Sequence, residues 1–306
     1  MDIAVIGTGA IGGYYGARLA TAGHRVHFWS RSEHAHLTAH GLTVDSCLGD
    51  FSLEHPLAYA RIDQMPPCDV VLVTIKATAN DQVFDAIGPV VKPGSQIVLM
   101  QNGFGNEPVL AALYPQARIY AGLCFICSFR DGPGVVRHTA YGNISLASLL
   151  PDAAGLAELA GLFNGAGVET QVIGQVVEAR LRKLVWNLPF NGLTVVLNAT
   201  TEDIAASPPA RAMAAGLMAE LLEAAQACGS PIEPAFADQM LATIDPMGPY
   251  NPSMRLDFLA GRPMEIDAMY WNVIRYAAQH GYDMRAATLL ARQLEHRQAA
   301  RDAARR

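Results

Sequence analysis

Lys183, Asn187 and Asn191 recur at intervals of four in the stretch "RKLVWNLPFN". On an α-helix, residues at that spacing differ by about 40° in direction and about 6 Å in height, so the ammonium and both amides occupy one side. Leu184, Val185, Trp186, Leu188, Phe190, Leu193, Val195 and Val196 surround them, which means that most of this helix is covered. Polar groups in such a place must find partners or face a ligand. One reading is a polar wall for a carbonyl substrate, in which the lysine stabilises charge growing on oxygen and then supplies a proton. The other is a lysine that reaches solvent beside two structural amides. Pro189 cannot donate to the carbonyl of Val185 and is expected to bend the helix there.

Further along, "NPSMRLDFLAGRPMEID" contains Asn251 and Ser253, whose neutral hydrogen-bonding groups suit a substrate carboxylate or carbonyl. Glu265 follows Pro263 near an expected helix start. From spacing alone a carboxylate there is either catalytic or simply favourable at a helix N-terminus.

The N-terminal "IAVIGTGAIGGYYG" is a different kind of site. Gly7 permits a tight turn after a strand, Gly9 lets the backbone approach a pyrophosphate, and Gly12 allows the next helix to pack closely on the sheet. With Ala10 and Ile11, these residues present backbone N–H groups at a helix start, where negative charge is favoured. A Rossmann-type dinucleotide-binding domain is expected. At the end of the second strand stand Ser30 and Arg31, in place of the carboxylate that usually meets the ribose of NAD. A guanidinium and a hydroxyl can bind a 2′-phosphate, so NADP is the expected cofactor. Glu33 leaves NAD open if that strand runs longer. Lys76, after "VVLVTI", and Asn102, in "QNGFGN", fall beyond the carboxyl ends of further strands, where ligands of open parallel sheets bind. Asn102-Gly103 is also an ordinary turn sequence.

These residues need scaffolds, and the pattern changes once along the chain. Residues 1–174 alternate apolar strands with helices, the pattern of a mostly parallel sheet covered on both faces. "DQVFDAIGPVV" reads as one of the helices. Within 118–149 two β-rich segments are joined by "RDGPG". Residues 175–306 read as helical, over about 175–198, 208–228, 234–243 and 265–302, with a break at "GYD". The fold class is therefore α/β plus all-α, an NADP-binding domain over 1–174 and a helical substrate and catalytic domain over 175–306. The polar tail "ARQLEHRQAARDAARR" is expected to fray as a solvated helix end.

With 51% hydrophobic and only 16% charged residues, the chain of 306 residues is not a disordered one. Its net charge of −6 provides no basic field for nucleic acid or an anionic bilayer. No apolar run reaches eighteen residues, and no signal sequence precedes the first strand, so a cytoplasmic protein is expected, with no membrane partner. Five scattered cysteines suit a reducing compartment. Cys124 and Cys127 lie in a strand pattern and read as small core residues with no metal role. Apolar helices in the second domain could pack internally or form a homodimer face.

The motifs "GTGAIGGYYG", "VTIKA", "QNGFGNE", "GVVRH", "RKLVWNLPFN" and, above all, "PSMRLDFLAGRPMEID" resemble the ketopantoate reductase family over nearly the whole chain. The resemblance implies NADPH as cofactor, a small-molecule keto acid as substrate and an active site in a cleft between the two domains. It further implies that Lys183 is the general acid, that Asn187, Asn191 and Ser253 hold the substrate, and that Glu265 hydrogen-bonds near the reacting oxygen. Asn102 would lie by the nicotinamide, and Lys76 matches the family's lysine after the third buried strand. Tyr270 and Trp271 stand where the family often has asparagine and glycine, "GYDMRA" lacks a family proline, and Pro189 and Gly192 flank Asn191. Bulky aromatics there would narrow the pocket. A related dehydrogenase for another keto or opine-like acid, and a non-catalytic NADP-sensing protein, are the competing expectations.

Overall fold

The computed structural model describes residues 1–305. They form two compact units, one made of Met1–Gln101 with Asn106–Ala179 and the other of Asn102–Gly105 with the chain from Arg180 onward.

The first unit is built on one ten-stranded sheet. Strand β1 (Asp2–Ile6) leads into helix α1 (Ala10–Thr21), then β2 (Arg25–Trp29), α2 (His34–His40), β3 (Leu42–Ser46), β4 (Phe51–Leu53) and β5 (Leu57–Tyr59). There follow β6 (Cys68–Val73), α3 (Asn80–Val83), β7 (Val91–Leu99), α4 (Glu107–Leu113), β8 (Arg118–Arg130), β9 (Val135–Ser148), α5 (Ala153–Gly165) and β10 (Thr170–Gln175). The spatial order is β4-β3-β9-β8-β7-β6-β1-β2-β5, with β10 beside β9. β1 pairs in parallel with β2 on one side and β6 on the other, so the chain reverses its winding direction there. Such a switch point is where open α/β sheets bind ligands. Ile3, Val5, Val70, Leu72 and Val98 face one apolar cluster and Ala4, Ile6, Val71, Val73 and Ile97 the other, which explains their unbroken apolar runs.

Several elements depart from the sequence pattern. β3, β4 and β5 are short strands that the local sequence does not announce; β3 pairs with β9, about ninety residues away, as Thr43 opposite Val135 shows. "DQVFDAIGPVV" is not one helix: α3 is a single turn followed by a 3-10 stretch, Asp85–Val90, containing Pro89, whose ring and missing N–H oppose a regular α-helix. Cys124 and Cys127 are half-buried on β8 and form no disulfide, and Cys124 packs against the apolar cluster that holds Ile3 and Val5.

The second unit is helical. Helix α6 (Val176–Val196) is followed by α7 (Thr201–Ala206), α8 (Pro208–Ala227), α9 (Pro234–Ala242), α10 (Ser253–Ala260), a π-helical turn (Asp267–Trp271), α11 (Asn272–Gln279) and α12 (Arg285–Ala304). The division between the units falls inside α6, after Ala179, because Val176 and Ala179 pack with Ala121, Leu123 and Ala147 of the sheet unit. The break expected at "GYD" separates α11 from α12. No helix among the described residues is long and apolar enough to cross a membrane.

Pro189 lies inside a helix assigned without interruption from Val176 to Val196. Support comes from a neighbouring residue: the Tyr270 hydroxyl donates to the Leu188 carbonyl at 2.7 Å. Tyr270 is fully buried, and Gly192 makes room for it, since a Cβ at Gly192 would lie 2.6 Å from the Tyr270 oxygen and 2.6 Å from Leu290 Cδ2. As far as Arg305 the tail is likewise ordered, against the expectation of fraying, and Arg306 lies outside the described residues. Arg301 donates to the carbonyls of Phe258 and Arg262 at 3.1 and 2.9 Å, and Gln298 Oε1 accepts the Met264 N–H at 2.7 Å.

Gly192→Ala is therefore expected to cost about 1–3 kcal/mol through overpacking, and Tyr270→Phe about 1 kcal/mol through its lost hydrogen bond. Urea denaturation of the single and double variants checks this, and Tyr270→Phe should cost less when Gly192→Ala is already present, because the hydroxyl is then a source of the clash.

Candidate active site

The glycine loop is shaped by contacts on both flanks. Gly7 has φ +103°, a conformation that favours glycine, and its N–H donates to the Trp29 carbonyl at 3.3 Å. Thr8 Oγ1 donates to the same carbonyl at 3.0 Å. From the other side, Thr74 Oγ1 lies 2.6 Å from the Gly7 carbonyl and 3.0 Å from that of Ile6. A Cβ on Gly12 would meet the Gly7 carbonyl at 2.2 Å, so α1 could not start so close to the loop with any larger residue. At Gly9, by contrast, nothing lies within 4 Å of such a Cβ. Packing therefore explains Gly12, whereas open space at Gly9 suits the approach of a pyrophosphate to the N–H groups of Ala10 and Ile11. A dinucleotide fits this cradle.

Ser30 is buried and Arg31 exposed at the end of β2. Ser30 Oγ accepts the Glu33 N–H at 3.2 Å, closing the segment and leaving the hydroxyl proton available for donation. Lys76 is exposed beyond β6. Its loop is tied down by Gln101, which donates to the Ile75 carbonyl at 3.0 Å and to Asn80 Oδ1 at 2.6 Å while accepting from Asn106 at 3.3 Å. Thr8, Thr74 and Gln101 were missed by motif reading. They support backbone rather than ligand, and although all three lie inside the motifs "GTGAIGG", "VTIKA" and "QNGFGN", nothing in their local pattern gives them that role.

Asn102 belongs elsewhere. Although its chain neighbours follow β7, Asn102–Gly105 groups with the helical unit. The Phe104 N–H donates to the Ala268 carbonyl at 2.8 Å, Asn272 Nδ2 donates to the Phe104 carbonyl at 2.7 Å, and Gly103 at φ +98° approaches Ala268 too closely for any side chain.

On α6 the polar residues divide. Lys183 and Asn187 are half-buried, whereas Asn191 is 2% exposed. Beside the first pair, Arg182 stacks on Phe236 at 4.2 Å and Trp186 donates to Thr243 at 3.0 Å, so the neighbouring face is covered by α9. Asn191 Nδ2 donates to the Asn187 carbonyl at 3.0 Å, and its Oδ1 accepts the Met254 N–H at 3.1 Å. The latter is one of the N–H groups that α10 leaves unpaired at its start. Asn191 thus acts first as a positioning residue. Arg255 adds a second tie by donating to the Thr194 carbonyl at 3.0 Å. Together these bonds bring Asn187, Asn191 and Ser253 into one neighbourhood.

Asn251 is half-buried and its Oδ1 is buried without a protein partner. An unpaired acceptor calls for a donor, so that atom suits a hydroxyl, while the Nδ2 of the same amide retains the donors expected for a carboxylate or carbonyl. Glu265 is buried at the end of the segment held by Gln298. The Glu265 carbonyl accepts the Met269 N–H at 3.0 Å, so the residue stands at the N-terminal edge of the helical stretch that contains the π-helical turn. Of the two aromatics expected to narrow the pocket, Tyr270 is in the core, and Trp271 donates to Glu295 at 2.8 Å and stacks against Arg292 at 4.5 Å. No cluster of three metal-ligating side chains occurs among the described residues.

Two family models match the chain, ketopantoate reductase PanE/ApbA over residues 3–151 and ketopantoate reductase PanE/ApbA C terminal over residues 175–298. A 2-dehydropantoate 2-reductase of Nostoc sp. is 37% identical over 298 residues, covering 95% of this chain and 93% of that protein. Among solved structures, the 2-dehydropantoate 2-reductase from Geobacter metallireducens is 40% identical with a TM-score of 0.93, covering 97% of this chain and 99% of its own. The enzyme of that name from Methylococcus capsulatus is 31% identical with a TM-score of 0.90, and the alignment covers 98% of each chain.

The division on α6 yields a test. Asn191→Ala, which strips the Met254 N–H of its acceptor, should lower unfolding free energy by about 1–3 kcal/mol. Asn187→Ala should cost no more than about 0.5 kcal/mol by the same denaturant titration, since its half-exposed amide retains access to water.

Proposed function

Because this chain belongs to the ketopantoate reductase family, we propose that it reduces 2-dehydropantoate to pantoate with NADPH. The single observation that carries the reading is the family match through both units, which takes in the glycine loop and the helix bearing Lys183. Bound NADPH would supply hydride to the keto carbon. Lys183 supplies the proton from its Nζ and, before that, offsets the negative charge that develops on the oxygen. Its half-buried position leaves the ammonium less hydrated than on an open surface, so electrostatic stabilisation is stronger there. Glu265 hydrogen-bonds near the reacting oxygen, and its negative charge favours the protonated lysine.

Asn187 and Ser253 hold the keto acid, with Asn191 fixing the helix start that bears Ser253. The unpaired Oδ1 of Asn251 accepts the substrate's terminal hydroxyl. In the sheet unit, Gly7, Gly9, Ala10, Ile11 and Gly12 receive the pyrophosphate, Ser30 and Arg31 the 2′-phosphate, and Lys76 serves as a further cofactor contact, as does Asn102 of the helical unit. Five cysteines outside any disulfide suit a reducing compartment, and the cytoplasm is the setting this reading assigns.

NADPH oxidation followed across a panel of 2-keto acids, with NADH in parallel, tests the proposal. Turnover should be greatest with 2-dehydropantoate, and the analogue lacking the terminal hydroxyl should lose about tenfold or more in kcat/KM. Lys183→Ala should lower kcat by roughly 10²–10⁴-fold while NADPH affinity changes little. Unaltered turnover in that variant would remove Lys183 from the reaction.

A further inference from the structure

Glu33 is the first carboxylate after the Ser30-Arg31 pair, and its charge bears directly on which dinucleotide the pair can take. Its side chain is buried, whereas that of Arg31 is exposed. The Glu33 carboxylate forms an ion pair with Arg130, the last residue of β8, and accepts the Gly134 N–H at 3.4 Å from the turn that leads into β9. Gly134, at φ +65°, comes so near to α2 that a Cβ there would lie 2.5 Å from His36 Cδ2. The β8–β9 hairpin is therefore packed against the segment that follows β2 and carries a cation for its one buried carboxylate. Arg31, by contrast, has no ion pair or hydrogen bond within the protein among the described residues.

We propose that Arg130 is a specificity-determining residue for the nucleotide, acting through Glu33 and not by touching the cofactor. The inference rests on the NADPH reading above. A 2′-phosphate brings nearly two negative charges, and an unpaired carboxylate two residues from Arg31 would repel it and draw Arg31 to itself. With Arg130 in place the carboxylate is neutralised and turned toward the hairpin, and Arg31 is left for the phosphate. The same arrangement withholds from the ribose hydroxyls the acceptor that a non-phosphorylated nucleotide would use. Burial of Glu33 makes the pairing matter, since a desolvated carboxylate is little screened by water.

Calorimetric affinities for NADP+ and NAD+ test this on the full chain, in the wild type, Arg130→Met, Glu33→Gln and the double variant. Arg130→Met should weaken NADP+ by about tenfold or more, as expected when like charges are brought together, with NAD+ unchanged or tighter. Glu33→Gln should keep the NADP+ preference, and Glu33→Gln/Arg130→Met should regain it. Equal weakening of both nucleotides in Arg130→Met would reduce Arg130 to a structural role, and a double variant that fails to recover would make it a direct phosphate contact. Either result overturns the proposal, as would loss of NADP+ preference in Glu33→Gln. A wild type without preference for NADP+ would instead overturn the NADPH reading itself.

Discussion

The Asn191 amide, bonded at one end to the Asn187 carbonyl and at the other to the Met254 N–H, is the contact on which the helical unit's polar set depends. A primary amide in an apolar interior is tolerated only when it is hydrogen-bonded, and here that requirement joins two helices at a defined height. Once α10 begins against Asn191, Ser253 has its place, Arg255 reaches the C-terminal carbonyl of Thr194, and the segment after α10 can be held by α12 through Gln298 and Arg301. Glu265 stands at the end of that succession. One buried hydrogen-bonding requirement thus organises residues separated by more than seventy positions.

The same helix shows how a family scaffold accommodates a bulky residue. Tyr270 is placed in the core, where Gly192 admits the ring and the Leu188 carbonyl receives the hydroxyl. The N–H that Pro189 lacks is missing at the Val185 carbonyl, so the Tyr270 hydroxyl is an added donor to the same helix at Leu188 and does not replace it. The π-helical turn that presents Tyr270 also follows Glu265, the residue proposed to act beside the reacting oxygen.

In the sheet unit the organising constraint is backbone approach. Gly12 is demanded by the Gly7 carbonyl, and Thr74 and Thr8 hold the loop from the ends of β6 and β2. Side chains with no role toward a ligand thus decide the shape that a ligand meets. Arg130 and Glu33 extend that principle to charge: a hairpin distant in sequence sets the electrostatic character of the segment after β2.

What was legible in the sequence was whatever depends on local period and local geometry. The strand-glycine-helix start, the buried parallel strands, the helical second half and the bounds of α6 all follow from apolar spacing and from residues with restricted backbones. Lys183 and Asn187 were visible because a charge or amide amid apolar neighbours requires an explanation, whereas spacing left Glu265 open and only the family motif around it assigned it a role. Tertiary structure alone decided which polar groups were already engaged. Nothing near Asn191 in the chain reveals that its partner is Met254, nothing near Glu33 announces Arg130, and the tail's arginines look solvated until α10 is placed beside them. β3 to β5 were hidden for the same reason, being stabilised by pairing across long sequence separations and not by their own periodicity. Hydrogen bonds and ion pairs join atoms by position in space, and sequence pattern records only the need for a partner.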